Sequence, residues 1–388
     1  MSVNDLFLSS KAKQRHRLLS YIVSILGYAW NYKMDDLKKY SFLLVYLLIP
    51  LPFVSLYLGG WYSFLPFLIV FAFIPLIDAF LHDSVNPTKE QEQELLKDKF
   101  FKYITCAYVP IQITIIAYGV YIVSTQNLVW NEWLGFTMSL GLISGGVGIN
   151  FAHEMMHKNS KLQQLMSKIL LVTVCYGHFF IEHVKGHHVK VATPDDPATA
   201  RLGESLYQFL PKTLLGSFQS ALLLEEKRLS HKNYSIWSIH NNFWWILTIP
   251  FIICIVCFIF GGLIALSFFL LQSFIAILTL EIVNYIEHYG LERKMLSNGQ
   301  YEKVNPNHSW NANHWLSNQL LIHLQRHSDH HAHGARPYQI LRHMENSPQL
   351  PSGYLGMIII ALIPPLWHYI MDKRVVAYRT QLRQLEQL

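Results

Sequence analysis

The sequence predicts an all-α integral membrane protein: six transmembrane helices with a cytoplasmic cap rich in histidine. Composition is the first reason. Of 388 residues, 52% are hydrophobic and only 14% charged, whereas soluble globular domains carry about 25% charged residues. The second is a series of apolar runs near the ~20 residues that cross a bilayer. The third is a set of 20 histidines, many of them grouped at helical spacing beside the predicted inner ends of those runs. The net charge of +6 is carried by basic residues gathered at segment ends. That distribution fits an anionic membrane surface, and no basic–aromatic module for nucleic acid is present.

Residues 1–40 are polar and basic, with Lys11, Lys13, Arg15, Arg17, Lys33, Lys38 and Lys39. They lack the ordered regions of a cleavable signal peptide and read as a cytoplasmic lead-in with some interfacial helix. Spans are expected at about 41–58, 61–81, 104–124 and 129–151, with Gly59-Gly60 turning between the first two. The 82–103 loop carries Lys89, Lys97, Lys99 and Lys102, while the 125–129 loop carries no Lys or Arg. By the positive-inside bias, the N-terminus and the 82–103 loop face the cytoplasm and the short turns face out. Residues 152–242 are mixed in polarity, and their one apolar piece, 168–180, is too short to span. The apolar block 243–283 is broken at Gly261-Gly262. It reads as a hairpin of two spans, 243–260 and 263–283. Residues 284–388 follow on the cytoplasmic side. Within them the apolar piece 354–366 ends in Pro364-Pro365 and reads as re-entrant or interfacial. No internal repeat or linker divides the chain, so 1–388 is taken as a single membrane-embedded catalytic domain. Glycines 141, 145, 146 and 148 crowd the fourth span, for close helix approach or as room for a ligand.

This topology brings every histidine cluster to one side of the membrane, beside the inner ends of spans four and six. In Leu324-Gln325-Arg326-His327-Ser328-Asp329-His330-His331, three histidines at i, i+3 and i+4 lie on one side of a helix. His153 and His157 are i, i+4; His183 is followed by His187 and His188 at i+4 and i+5. A lone histidine is ordinarily a satisfied core or surface residue, but three clusters at ligand spacing are hard to explain as packing. H-E-x-x-H at 153–157 alone would suggest a zinc peptidase, yet one zinc needs far fewer histidines. The doubled pairs His187-His188 and His330-His331 point apart by about 100° on a helix, which suits two metals. His288, at the mouth of the sixth span, joins them by position. An all-imidazole set suits iron, copper, zinc or nickel, and spacing does not choose among these. Carboxylates recur beside the clusters: Glu154, Glu182, Asp195, Asp196, Glu287 and Asp329. Metal-bound histidines commonly give their second N–H to such groups. Cys106, Cys175, Cys254 and Cys257 form no disulfide or Cys₄ pattern, and Cys254-Ile-Val-Cys257 sits in an apolar run as core.

The stretches HEMMHK (153–158), EHVKGHHVKVATPDDPATAR (182–201), NYIEHYGL (284–291) and LQRHSDHHAHGARPYQILRH (324–343) resemble those of the integral-membrane alkane 1-monooxygenases. Xylene monooxygenase membrane subunits and, more distantly, membrane fatty-acid desaturases share the histidine-rich pattern, but desaturases lack NYIEHYG. The resemblance runs from about the first span to Asp372-Lys373-Arg374. It implies six spans and two non-haem iron ions held by His153, His157, His183, His187, His188, His288, His327, His330 and His331. All nine are histidine here; Met155-Met156 departs from the Leu-Gly or Leu-Ser of many relatives, at positions that are not ligands. His178, His308, His314, His323, His333 and His343 are left over, and His323, one turn before His327, is the nearest alternative ligand. The implied reaction is O₂-dependent terminal hydroxylation of medium- or long-chain n-alkanes in a bacterial inner membrane, with both termini and the site cytoplasmic. A terminal C–H bond is strong and non-acidic, so no side-chain base suffices and a redox cofactor must supply the oxidant. No nucleotide fingerprint is present. Electrons must therefore come from elsewhere; the resemblance implies rubredoxin, fed by a flavin-dependent NAD(P)H rubredoxin reductase, and the alkane is expected from lipid. The alternatives are hydroxylation of aromatic methyl groups, fatty-acyl desaturation, a zinc intramembrane protease and a metal transporter. A transporter would place its ionisable ligands near the bilayer midplane.

Overall fold

The computed structural model describes residues 39–81 and 83–385; the lead-in helix expected within 1–38 lies outside the described residues. Two compact units divide at Leu43 and Leu44. Among the described residues the first contributes only the opening of helix α1, and all that follows concerns the second, Leu44–Leu388.

Helix α1 (Lys39–Leu58) and helix α2 (Gly60–Asp78) are both long and apolar enough to cross a membrane. Gly59 and Gly60 turn the chain between them at φ +76° and +57°, angles that glycine adopts without a side-chain clash. Helix α3 (Lys89–Lys97) is polar and capped by Thr88, whose hydroxyl accepts from the Gln91 N–H. Helices α4 (Phe100–Thr125) and α5 (Trp130–Met156) are the next two long apolar helices. Of all the candidate spans α5 is the most deeply buried. Its glycines explain how neighbours come so close. A Cβ on Gly141 would lie 2.6 Å from the Gln272 carbonyl, one on Gly145 2.6 Å from the Ala276 carbonyl, and one on Gly148 only 1.8 Å from Gln112 Oε1.

After α5 come the short amphipathic helix α6 (Lys161–Val172), a helical stretch α7 (179–190), and helix α8 (Leu206–Ser230). The sequence reading assigns no helix to 206–230, because Glu225, Glu226, Lys227 and Arg228 break any apolar run. Ser205 and Gln208 nonetheless form a capping box at its start.

Helix α9 (Phe243–His288) is nominally 46 residues long, with non-helical angles at Gly261 and Gly262. Gly262 has φ +60° and ψ −149°, a region essentially confined to glycine. Adjacent residues reveal the path. Gly177 packs against Ile246, while the Tyr176 hydroxyl bonds Glu281 at 2.5 Å. A straight helix would hold Ile246 and Glu281 about 50 Å apart, so α9 is folded back into two antiparallel arms. The hairpin expected at Gly261-Gly262 is therefore present. Its second arm packs on α4 and α5 through Gly119 against Phe268 and Gly141 against Gln272.

The remaining helices are short: α10 (Trp315–Leu320), α11 (His327–Ala332) and α12 (Tyr354–Ala361), then the longer α13 (Pro364–Leu385). Helix α12 is the apolar piece read as too short to span. Tyr285, Tyr289, Trp310, Tyr354 and Trp367 are buried together in the core that joins α12 and α13 to the end of α9. Among the described residues there are no strands, only isolated bridges such as Asp83 with His314. Arg326 ties these loops together from full burial: its guanidinium donates to the Leu341 carbonyl (2.5 Å), the Ser84 carbonyl (3.2 Å) and Asn313 Oδ1 (3.2 Å).

Candidate metal centre

Nine histidines converge where α5, α7, α9 and α11 end. They fall into two sets. His153, His157, His183, His188 and His330 form one, and His187, His288, His327 and His331 the other; within each set the ligand atoms lie within 4.8 Å of one another. The sets adjoin, with the His188 and His331 rings stacked 4.3 Å apart between centroids.

Local backbone explains the division. His153 and His157 are one α-turn apart and share a set. In α7 the turn His183–His187 is a π-helix, whose hydrogen bonds run i→i+5. That aligns His183 with His188, five residues on, and their Nε2 atoms are 3.1 Å apart. His187 is turned toward the other set. Gly186 lets Glu182 lie close over this turn, since a Cβ there would be 2.5 Å from Glu182 Oε1. In α11, His327 and His331 share a face, with Nε2 atoms 2.9 Å apart. His330 points away and places its Nε2 3.1 Å from that of His188. Adjacent histidines thus serve different sets in both doubled pairs.

The nitrogens fit a metal. Imidazole binds first-row ions at about 2.1 Å, so ligands a right angle apart sit about 3 Å from each other. That is the separation of His188 Nε2 from its two neighbours, and a single ring proton cannot bridge both. The buried Nε2 atoms of His153, His157, His187 and His288 have no hydrogen-bond partner, a costly state for a polar atom unless a ligand meets it. Burial, reinforced by neighbouring imidazoles, holds His183, His188, His327, His330 and His331 well below the usual imidazole range. It takes His157 down to about 3. Burial thus favours the neutral form of these six rings, the form that ligates.

Surrounding groups fix two rings. Asp196 Oδ2 is 2.9 Å from His187 Nδ1 and accepts from the Thr199 hydroxyl at 2.6 Å. Burial alone would depress His187, but the carboxylate outweighs it and raises the imidazole above its ordinary value. His288 Nδ1 faces the His308 carbonyl at 3.1 Å. That backbone contact was not legible in the sequence, which gave no signal pairing residues 288 and 308. Glu287 is buried, with Oε2 3.1 Å from His327 Nε2. The other carboxylates singled out from sequence touch different groups. Glu154 pairs with Lys158 and accepts from the Tyr338 N–H. Asp329 holds Arg336, His333 and the Arg342 N–H. Glu182 is buried with Oε1 unpartnered, and Asp195 is exposed. His323 lies outside both sets, its Nδ1 facing the Tyr338 carbonyl at 2.8 Å.

Beside the histidines is an apolar cavity of about 50 Å³, walled by α1, α2, α5, α12 and the second arm of α9. Its lining includes Asn150 and Leu324, three residues before His153 and His327 respectively. The polar residues in its wall are engaged elsewhere. Asn150 Nδ2 donates to the Leu321 carbonyl, Thr279 Oγ1 to the Ile275 carbonyl and the Tyr354 hydroxyl to the Trp310 carbonyl, each at 2.8 Å.

Comparison with known proteins agrees with this arrangement. The fatty acid desaturase family model matches residues 129–361, which include all nine histidines. The chain is similar to alkane 1-monooxygenases 1 and 2 of Pseudomonas aeruginosa. It is 44% identical to the first over 89% of this chain and 93% of that protein, and 42% identical to the second over 91% and 95%. The xylene/toluene monooxygenase hydroxylase component of Pseudomonas putida is more distant, at 26% identity over 88% of this chain and 89% of that protein.

Proposed function

The chain belongs to the alkane 1-monooxygenase family, and we propose that it hydroxylates the terminal carbon of medium- and long-chain n-alkanes at a centre of two iron ions. The observation that carries this reading is the pairing of two histidine sets with an apolar cavity at their edge. Iron bound in the sets supplies the activation of O₂ that a C–H bond of this strength demands. In the balance, an alkane, O₂, two electrons and two protons give a 1-alkanol and water.

The protein's own residues do the rest. The nine histidines hold the ions, five on one side and four on the other. Asp196 and the His308 carbonyl each take an Nδ1–H, of His187 and His288, and so aim the opposite nitrogen inward. Asn150 Nδ2, Thr279 Oγ1 and the Tyr354 hydroxyl are engaged within the wall, so the methylenes of an alkyl chain that reach this cavity bind by dispersion and exclusion of water. Specificity among alkanes then rests on length alone.

Each arm of α9 crosses the bilayer once, which with α1, α2, α4 and α5 makes six spans in a single membrane-embedded catalytic domain. Charge asymmetry in the loops supports a cytoplasmic site and cytoplasmic termini, and the family points to a bacterial inner membrane. Electrons come from rubredoxin, reduced by its flavin-dependent NAD(P)H reductase. An open groove of about 910 Å³ that reaches Asp196 is lined by Lys190, Arg201, Lys212 and Lys227 together with Asp195 and Glu292, a mixed-charge face.

The test is product analysis with purified protein, rubredoxin, its reductase and NAD(P)H. Octane and hexadecane should yield 1-alkanols. Conversion of xylene without alkanes would move the assignment to aromatic methyl groups, and alkenes without alcohol would move it to desaturation.

A further inference from the structure

The glycines of α5 do two different things. Gly141, Gly145 and Gly148 are pressed against α9 or Gln112, as their clashing Cβ positions show. Gly146 is different: a Cβ built on it meets nothing within 4 Å, and it lies in the wall of the apolar cavity. Close helix approach therefore does not account for glycine at this position.

Its place along the helix is informative. Gly146 lies in the π-helical stretch Ser144–Ile149 of α5, and Asn150, on the way from it to His153, lines the same cavity. Gly146 sits about 10 Å along the helix axis from His153. Leu48, Phe71, Thr279 and Leu280 line the cavity as well. A chain whose end methyl is held at the histidines would pass Gly146 only if it is longer than that stretch.

We propose that Gly146 is a specificity-determining residue: its missing side chain keeps the cavity open for the tail of long alkyl chains. This rests on the alkane reading above. A side chain at 146 takes up the space of the distal methylenes and leaves the proximal ones untouched. Short chains bind as before, and long chains must bend or leave their tails in lipid.

The experiment compares the unmodified protein with Gly146→Leu and Gly146→Ala, each given an equimolar mixture of octane and hexadecane. In Gly146→Leu the ratio of 1-hexadecanol to 1-octanol should fall by ~10-fold or more, the scale on which an apolar pocket separates chains differing in methylenes. Gly146→Ala should fall by less, in the same direction, and it decides the matter if the leucine variant fails to fold. A second readout needs no turnover: hexadecane should raise the unfolding temperature of the unmodified protein more than that of the leucine variant. An unchanged product ratio in a folded, iron-containing variant overturns the proposal. Absence of any alkanol from the unmodified protein overturns instead the alkane reading beneath it.

Discussion

His187 Nδ1 lies 2.9 Å from Asp196 Oδ2, and both side chains are buried. The contact joins two motif segments, EHVKGHH and TPDDP, into one unit, and it fixes which nitrogen of His187 faces its set. Asp196→Asn keeps the shape but weakens this hold. Such partners are worth 10–100-fold in metal affinity. Iron titration of the variant should show one ion bound about that much more weakly, with the five-histidine set unaffected. Equal affinity at both sets in the variant would contradict this role.

Arg326 is expected to matter for stability rather than chemistry. It precedes His327 and bonds three acceptors from three loops while fully buried. Arg326→Met removes the charged donor; the Ser84 carbonyl and Asn313 Oδ1 keep the amides of Asn313 and Asn318, and the Leu341 carbonyl loses its guanidinium partner. Losing the hydrogen bonds of a buried charged donor costs about 1.5–3 kcal/mol. Unfolding in detergent should shift by that amount, and a shift below about 1 kcal/mol would mean the loops hold themselves.

A pH effect follows from His178, which is buried, touches neither histidine set and is held down to about 4 by burial. Unfolded, it titrates near 6.5. Above pH 6.5 it is neutral in both states and its contribution to stability is complete. As pH falls from 6.5 toward 4, only the unfolded state takes up the proton, and up to about 3 kcal/mol is lost. Stability measured against pH should therefore fall less steeply across this window in His178→Gln than in the parent. Parallel curves would show that the ring is not held neutral by the fold.

The packing glycines should behave opposite to Gly146. Gly145→Leu drives a side chain into the Ala276 backbone, which cannot give way as a flexible side chain can. Overpacking of this kind costs about 1–3 kcal/mol or more. The variant should unfold at lower temperature and lose iron, whereas Gly146→Leu should keep both. Equal thermal stability of the two variants would mean the glycines are equivalent.

Much of this site could be read from the sequence, for identifiable reasons. Histidine spacing is local, so the clusters, and the opposed pointing of His187-His188 and His330-His331, followed from helix geometry alone. The hairpin at Gly261-Gly262 was visible because an apolar block of that length must turn back within a bilayer. What stayed hidden depends on distant or backbone contacts. The π-turn that pairs His183 with His188 is a backbone feature, with Glu182 lying close over Gly186. The His308 carbonyl that holds His288 comes from a loop twenty residues away. Residues 141 and 146 are both glycine, and only their surroundings separate packing from open space. Helix α8 was hidden because its fate depends on tertiary partners: Glu225 is buried there against Arg228 and the Asn242 N–H, while Leu215 and Leu223 are exposed.

The most direct test is metal analysis of anaerobically purified protein, with His288→Ala beside the parent. The parent should hold close to two iron ions per chain, one for each histidine set. The variant should lose the ion of the four-histidine set and keep the other. A single zinc ion in the parent, or full iron in the variant, would contradict the account.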